Sequence, residues 1–187
     1  MSSPIARWRE EHVRFAKLLD TLEAQLECFH RAERPDYPLM LEVMRYMRHY
    51  PDTSHHPRED LAFEKVAERD PRARPMFAQL VQEHRDIDEA GAKLVELLEG
   101  VLDDAILSRE AVEEPGREYI RRLRAHMESE EVLFPFVKTW LEPEDWKEID
   151  GKIPPTADPL LEPNGSETYT ALHRILTRKA AGKRLFA

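Results

Sequence analysis

The apolar positions of this chain return in alternating steps of three and four, and a few polar residues are set into the same stripes. Ile5, Trp8, His12, Phe15, Leu19, Leu22, Leu26 and Phe29 make the first stripe, and Phe77, Leu80, His84, Ile87, Gly91, Leu94, Leu98 and Val101 a later one. Ile120, Leu123, His126, Glu130, Leu133, Val137 and Trp140 make another. Such spacing keeps side chains on one face of an α-helix, so each stripe predicts an amphipathic helix packed on a core. Pro115 and Pro135 fall inside the last of these, where they should kink it or loosen its hydrogen-bond ladder. Between the first two stripes, Tyr37 to Tyr50 supplies Leu39, Met40, Val43, Met44 and Met47 before Pro51 and Pro57 interrupt the pattern. The reading there is a kinked or broken helix that restarts near Ser54 and runs to about Arg69. Pro57 then sits in a first turn, where its missing N–H is harmless.

Strand alternation is absent. Helices of this length joined by short polar turns predict an all-α fold, an antiparallel up-down-up-down four-helix bundle over residues 1–141. After Leu141 the text changes. Pro143 to Asp150 reads as a short helix, residues 151–165 hold four prolines and two glycines and read as loop, and Ser166 is placed to cap a last helix to about Ala180. Residues 142–187 are therefore expected to form a C-terminal extension of loop and helices packed on the outside of the bundle.

Composition narrows the chemistry. The net charge of -9 over 187 residues argues against a nucleic-acid surface, which needs a dense excess of Lys and Arg. Cys28 is the only cysteine, which removes disulfide frameworks, cysteine-based zinc knuckles and iron–sulfur ligand sets. A reducing cytoplasm is the simplest expectation, and neither a signal peptide nor a membrane span is read in the sequence. Met40, Met44 and Met47 read as core filling, and Arg117 to Arg124 as a solvated helix face.

The polar residues inside the stripes are written twice. HHPREDLAF runs from His55 to Phe63, and HMESEEVLF, seventy-one residues later, runs from His126 to Phe134. His12 and His84 lie seventy-two residues apart, and each follows a glutamate, Glu11 and Glu83. The chain thus contains two helix-hairpin halves, each with a lone core histidine followed by an H-x-x-x-E pair. Residues at i and i+4 lie only about 40° apart around a helix, so histidine and glutamate of each pair can bend toward one centre. One buried histidine is more often a hydrogen-bonded core residue than a ligand, and one H-x-x-x-E is usually an ordinary polar pair. Six such groups in one layer weigh differently, because burying Glu59 and Glu130 without cations costs several kcal/mol each. His12, His55, Glu59, His84, His126 and Glu130 are therefore the candidate metal ligands. Nitrogen and oxygen donors without thiolate suit Fe, Mn, Zn or Cu, and two opposed glutamates can bridge a pair of ions.

At these residues the sequence resembles the hemerythrin-like, or HHE cation-binding, domain family, most specifically in the H-x-x-x-E-E-x-L-F-P reading from His126 to Pro135. The resemblance spans about residues 5–141. It implies a helical bundle holding two non-heme iron ions, and the donor set itself also admits Mn or Zn. His12 would be the ligand of the first helix, His55 and Glu59 of the second, His84 of the third, and His126 and Glu130 of the fourth, both glutamates bridging. His12 and His55 would serve one iron, and His84 and His126 the other. Oxygen-carrying members have a further histidine one turn after the third-helix ligand, where this chain has Asp88. A four-histidine, two-glutamate set is similar to that of bacterial proteins that repair iron centres and of iron-sensing hemerythrin domains, although the Cys-bearing N-terminal extension common on the repair proteins is missing. A ferritin-like site needs two E-x-x-H motifs, and only Glu27 to His30 fits.

Two functional classes follow. One is a binding or sensing module for O2, NO or iron. The other is a redox enzyme acting on peroxide or NO, with Asp88, Tyr46, Tyr50, Tyr119 or the spare His49 and His56 delivering protons or electrons. A metal-free or zinc-filled structural bundle is a third reading. No membrane and no nucleic-acid partner is expected.

Overall fold

The computed structural model describes residues 3–161 and 169–182, and among these the chain is helical, with no strand. The first helix, α1 (Pro4–Leu26), starts where the Ser3 hydroxyl accepts the amide of Ala6, with Pro4 in the first turn. A second, α2 (Tyr37–Tyr50), is capped by Asp36, whose side chain accepts the Leu39 amide at 3.0 Å. Of the kinked or broken helix expected after Tyr50, the structure shows no break. Pro51–His55 forms a five-residue π turn, in which the His56 amide donates to the Pro51 carbonyl, and the path continues directly into α3 (His56–Arg69). Pro57 lies in the first turn of α3, as its chemistry requires.

Two long helices complete the core: α4 (Arg74–Leu102), and α5 (Arg109–Trp140), capped by Ser108. Pro115 and Pro135 both lie inside α5, which remains one helix across them. Beyond it, α6 (Pro143–Lys152) opens with a reciprocal capping box between Glu142 and Asp145 and packs on α3. The last helix, α7 (Thr170–Gly182), packs on α2, where Glu42 accepts the amides of Ala171 and Leu172. Ser166, read from the sequence as the cap of this helix, lies outside the described residues.

α1 packs on α5 and α2, and α4 packs on α5, α2 and α3. Their apolar faces bury two separate clusters. Phe15, Leu18, Leu22, Met44, Ile87 and Leu123 belong to one, and Trp8, Phe63, Phe77, Leu80, Phe134 and Val137 to the other. The division repeats along each helix: on α1, Trp8 belongs to one cluster and Phe15 to the other, with His12 between them. Leu80, His84 and Ile87 do the same on α4. A polar layer cuts the core in two.

Close approach of α5 to α1 depends on Gly116, where an added Cβ would come within 2.9 Å of Leu26 Cδ1. Gly116→Val is expected to cost about 1–3 kcal/mol through overpacking, read as a fall in melting temperature without loss of helical signal.

Candidate metal centre

All six residues singled out by the repeat meet in that polar layer. His55, His84 and His126 are buried, Glu59 and Glu130 have no exposed surface, and His12 is only slightly more open. Their inward atoms fall into two groups. His12 Nε2 and His55 Nε2 lie 3.1 Å apart, with Glu130 Oε2 at 3.3 Å from the first and Glu59 Oε1 at 3.2 Å from the second. On the other side, Glu130 Oε1 lies 3.2 Å from His126 Nε2 and 3.5 Å from His84 Nε2, and Glu59 Oε2 lies 3.7 Å from His84 Nε2. Each glutamate therefore gives one oxygen to each group. Donors on one ion with bonds of about 2.1 Å are roughly 3.0 Å apart when octahedral neighbours and roughly 3.4 Å apart when tetrahedral, close to the separations found here.

The inward atoms fit cations better than they fit one another. Both oxygens of Glu59 and of Glu130, and Nε2 of His84 and His126, are buried without a hydrogen-bond partner. So many orphaned acceptors in a dry layer would cost several kcal/mol unless something positive completes them. His12, His55, Glu59 and Glu130 make one set spaced to hold an ion, and His56, His84 and His126 make a second.

Outside this ring stands a ring of carboxylates. His55 Nδ1 donates to Glu11 Oε2 at 2.5 Å, His84 Nδ1 to Asp60 Oδ1 at 2.7 Å, and His126 Nδ1 to Glu83 Oε2 at 2.9 Å. His12 Nδ1 faces Glu131 at 3.9 Å, while Arg9 donates to that carboxylate at 2.8 Å and draws it aside. An acceptor on Nδ1 fixes the tautomer, aims the lone pair of Nε2 inward and makes it more basic. Glu11 and Glu83, noticed in the sequence only as neighbours of His12 and His84, thus act on the H-x-x-x-E histidine of their own half. Asp60 and Glu131, which follow the two glutamates, face the lone histidine of the other half. Glu11 also accepts the Tyr50 hydroxyl at 2.9 Å, and the Tyr50 ring stacks on Tyr46, whose hydroxyl reaches Asp158.

Burial sets the proton inventory of the metal-free layer. Desolvation, and then the charge of Glu130, hold the Glu59 carboxyl well above its usual range, so it carries a proton. Glu130 is desolvated as fully, but the imidazoles of His126, His12 and His84 outweigh that and keep it ionised. Burial works against charge on His84 too, yet its bond to Asp60 and the charge of the nearby Glu130 carboxylate push it up to about 10. Desolvation lowers His12 and His56, which stay neutral. A proton on Glu59 and an imidazolium at His84 thus offset the charge of two buried carboxyl groups.

Apolar rings close the layer above and below. Phe134 stacks on His12, Phe15 meets His55 edge-on, Trp8 lies across His55, and Phe63 stacks toward His84. A cleft of about 670 Å³ between α1 and α5, lined by Arg9, Val13, Ala16, Arg124 and Met127, reaches His12. Asp88 does not join the layer, being half exposed and bonded by Arg48 at 2.9 Å. His49 is exposed as well. His56, treated in the sequence as spare, is buried and stacks on His84 with centroids 4.3 Å apart.

A layer of imidazoles and carboxylates across a helical core defines a helical protein whose interior suits metal cations. The comparison with protein families agrees: residues 3–137 match the hemerythrin HHE cation binding domain, and the chain belongs to that family. No curated protein and no solved structure matches it significantly. Among the described residues no helix is long and apolar enough to cross a membrane.

Proposed function

We propose that the chain is a non-heme di-iron protein that binds or senses O2, NO or iron, its two ions held by His12, His55, Glu59, His84, His126 and Glu130. One observation carries the reading: Glu59 and Glu130 each turn one oxygen to each group of imidazoles, as bridging carboxylates would. The bundle itself, residues 1–141, is an antiparallel four-helix arrangement in this reading, with 142–187 as its extension. Arg9 with Glu131, and Asp20 with Arg124, pair in opposite order along α1 and α5, which supports that topology. Two iron ions would supply reversible ligand binding or electron transfer toward O2, NO or peroxide, and Mn or Zn suit the same donors.

The protein's own part is orientation and exclusion. Glu11, Asp60 and Glu83 hold the imidazoles in register, Phe15, Phe63, Phe134 and Trp8 keep bulk water out, and the cleft beside His12 admits a small molecule. A redox enzyme is the second reading, favoured by the hydrogen-bonded path from His55 through Glu11 to Tyr50, which could carry a proton.

Metal analysis after anaerobic reconstitution tests the proposal, with about two iron ions per chain expected from two bridging carboxylates. Iron well below one per chain would overturn it. A stable adduct with O2 or NO in the optical spectrum supports binding or sensing, and rapid peroxide turnover supports the enzyme.

A further inference from the structure

The internal repeat has one exception, and it lies against the candidate metals. His12 pairs with His84, Glu11 with Glu83, His55 with His126, Glu59 with Glu130 and Asp60 with Glu131, at offsets of seventy-one or seventy-two residues. Seventy-one residues after His56 stands Met127, and seventy-one after Asp52 stands Leu123. Both belong to an apolar cluster. The second half has no polar counterpart to His56 and Asp52.

Local geometry explains how the first half holds an extra imidazole. Successive residues of a regular α-helix are turned by about 100°, so two adjacent side chains do not both face one centre. α5 is regular at His126, and the next side chain joins the apolar cluster. The π turn Pro51–His55 widens the backbone just before the equivalent place, and His55 and His56 are both buried in the layer. Wide turns of this kind are rare and recur at functional sites.

His56 is also prepared as the other histidines are. Its Nδ1 lies 3.1 Å from Asp52 Oδ1, one turn earlier, which leaves Nε2 for a cation. Its ring stacks on His84 and stands perpendicular to His126, and one ligand atom from each of the three lies within 4.8 Å of the others. Asp88, one turn after His84, is held away by Arg48.

We infer that His56 is a metal ligand, completing a three-imidazole set with His84 and His126 and making the two ion positions unlike. One position then has three nitrogens and two carboxylate oxygens, the other two nitrogens and two oxygens. Asp52 is the positioning residue for His56. This rests on the di-metal reading of the six residues above.

Cobalt(II) titration of chelator-stripped protein, followed by optical absorption, tests it. The parent chain is expected to take up two ions with different spectra. His56→Ala should keep the first, bind the second at least tenfold more weakly, and regain it when free imidazole is added. If the parent binds two ions and His56→Ala binds both as tightly with the same spectra, the inference fails while the di-metal reading stands. A weakened second ion that imidazole does not restore would give His56 a packing role and overturn the inference equally. Failure of the parent to bind cobalt would remove the underlying reading itself.

Discussion

Glu59→Gln is expected to leave the melting temperature of the metal-free protein nearly unchanged, whereas Glu130→Gln should lower it by several degrees, and either change should abolish tight cation binding. The two carboxylates look alike in the repeat but differ in charge state. Glu59 is held protonated by desolvation and by the charge of Glu130, so an amide of the same shape reproduces what is already there. Glu130 is ionised among the imidazoles of His126, His12 and His84. Removing it strands the positive charge on His84, and breaking a buried pair from one side costs about 3 kcal/mol, or roughly 6–12 °C in a chain of this size. In the di-metal reading the asymmetry would vanish with metal, because both carboxylates would supply charge and lone pairs to the ions. The parent should gain about 4 kcal/mol at a free metal concentration a thousandfold above its dissociation constant, and neither variant should gain comparably. Thermal unfolding with chelator and with ferrous iron under argon measures both effects. Equal melting temperatures for the two metal-free variants would show that the proton is not localised on Glu59. An unchanged response to iron would show that the carboxylates are not bridges.

The metal-free protein should also lose stability as pH rises from about 7.5 to 10. His84 is pushed up to about 10 by Asp60 and Glu130, against an ordinary histidine value of 6.5. Across that interval the native state binds a proton that the unfolded state has released, so stability falls with pH, by about 1.4 kcal/mol per pH unit at most for this one proton. Its contribution is complete below pH 6.5 and gone above pH 10. Asp52, raised to about 7 by burial and by Asp88, loses its contribution in the same direction but lower, between its ordinary value and about 7. His12 and His56, lowered by burial, act in the opposite sense and only below about 6.5. Glu59, held well above its ordinary value, adds to the fall over the same interval, and Asp60→Asn should remove the part that belongs to His84 and so make the slope shallower. A slope unchanged in Asp60→Asn would mean that the Asp60–His84 bond does not hold the proton.

How much of this could be read from the chain depended on whether the signal was local. Helical spacing found α1, α4 and α5, and it placed His12, His84, His126 and Glu130 on buried faces because those faces are regular. The duplicated H-x-x-x-E brought His55 and Glu59 into the same layer despite the prolines between Tyr50 and Pro57. Helical spacing does not find His56, because an α-helical wheel turns adjacent residues apart and only the π turn at Pro51–His55 brings both inward. Prolines 115 and 135 lie inside α5 without ending it, as packing along its length can compensate for lost ladder bonds. The roles of Asp60 and Glu131 were out of reach because each faces a histidine on another helix of the opposite half, a relation with no trace in local spacing.

That crosswise relation bears on how such a chain could have come about. Glu11 serves His55 and Glu83 serves His126 within one half, while Asp60 reaches from the first half to His84 and Glu131 from the second half toward His12. Two identical hairpins associating as a pair would reproduce every one of these contacts, so the pattern is what duplication and fusion of a self-pairing ancestor would leave behind. In an assembly of identical pieces, however, any residue added to one side is added to both. Covalent joining lifts that constraint, and the chain carries His56 with Asp52 in one half and Met127 with Leu123 in the other. In this reading, fusion would be the step that lets the two ends of the polar layer become chemically different.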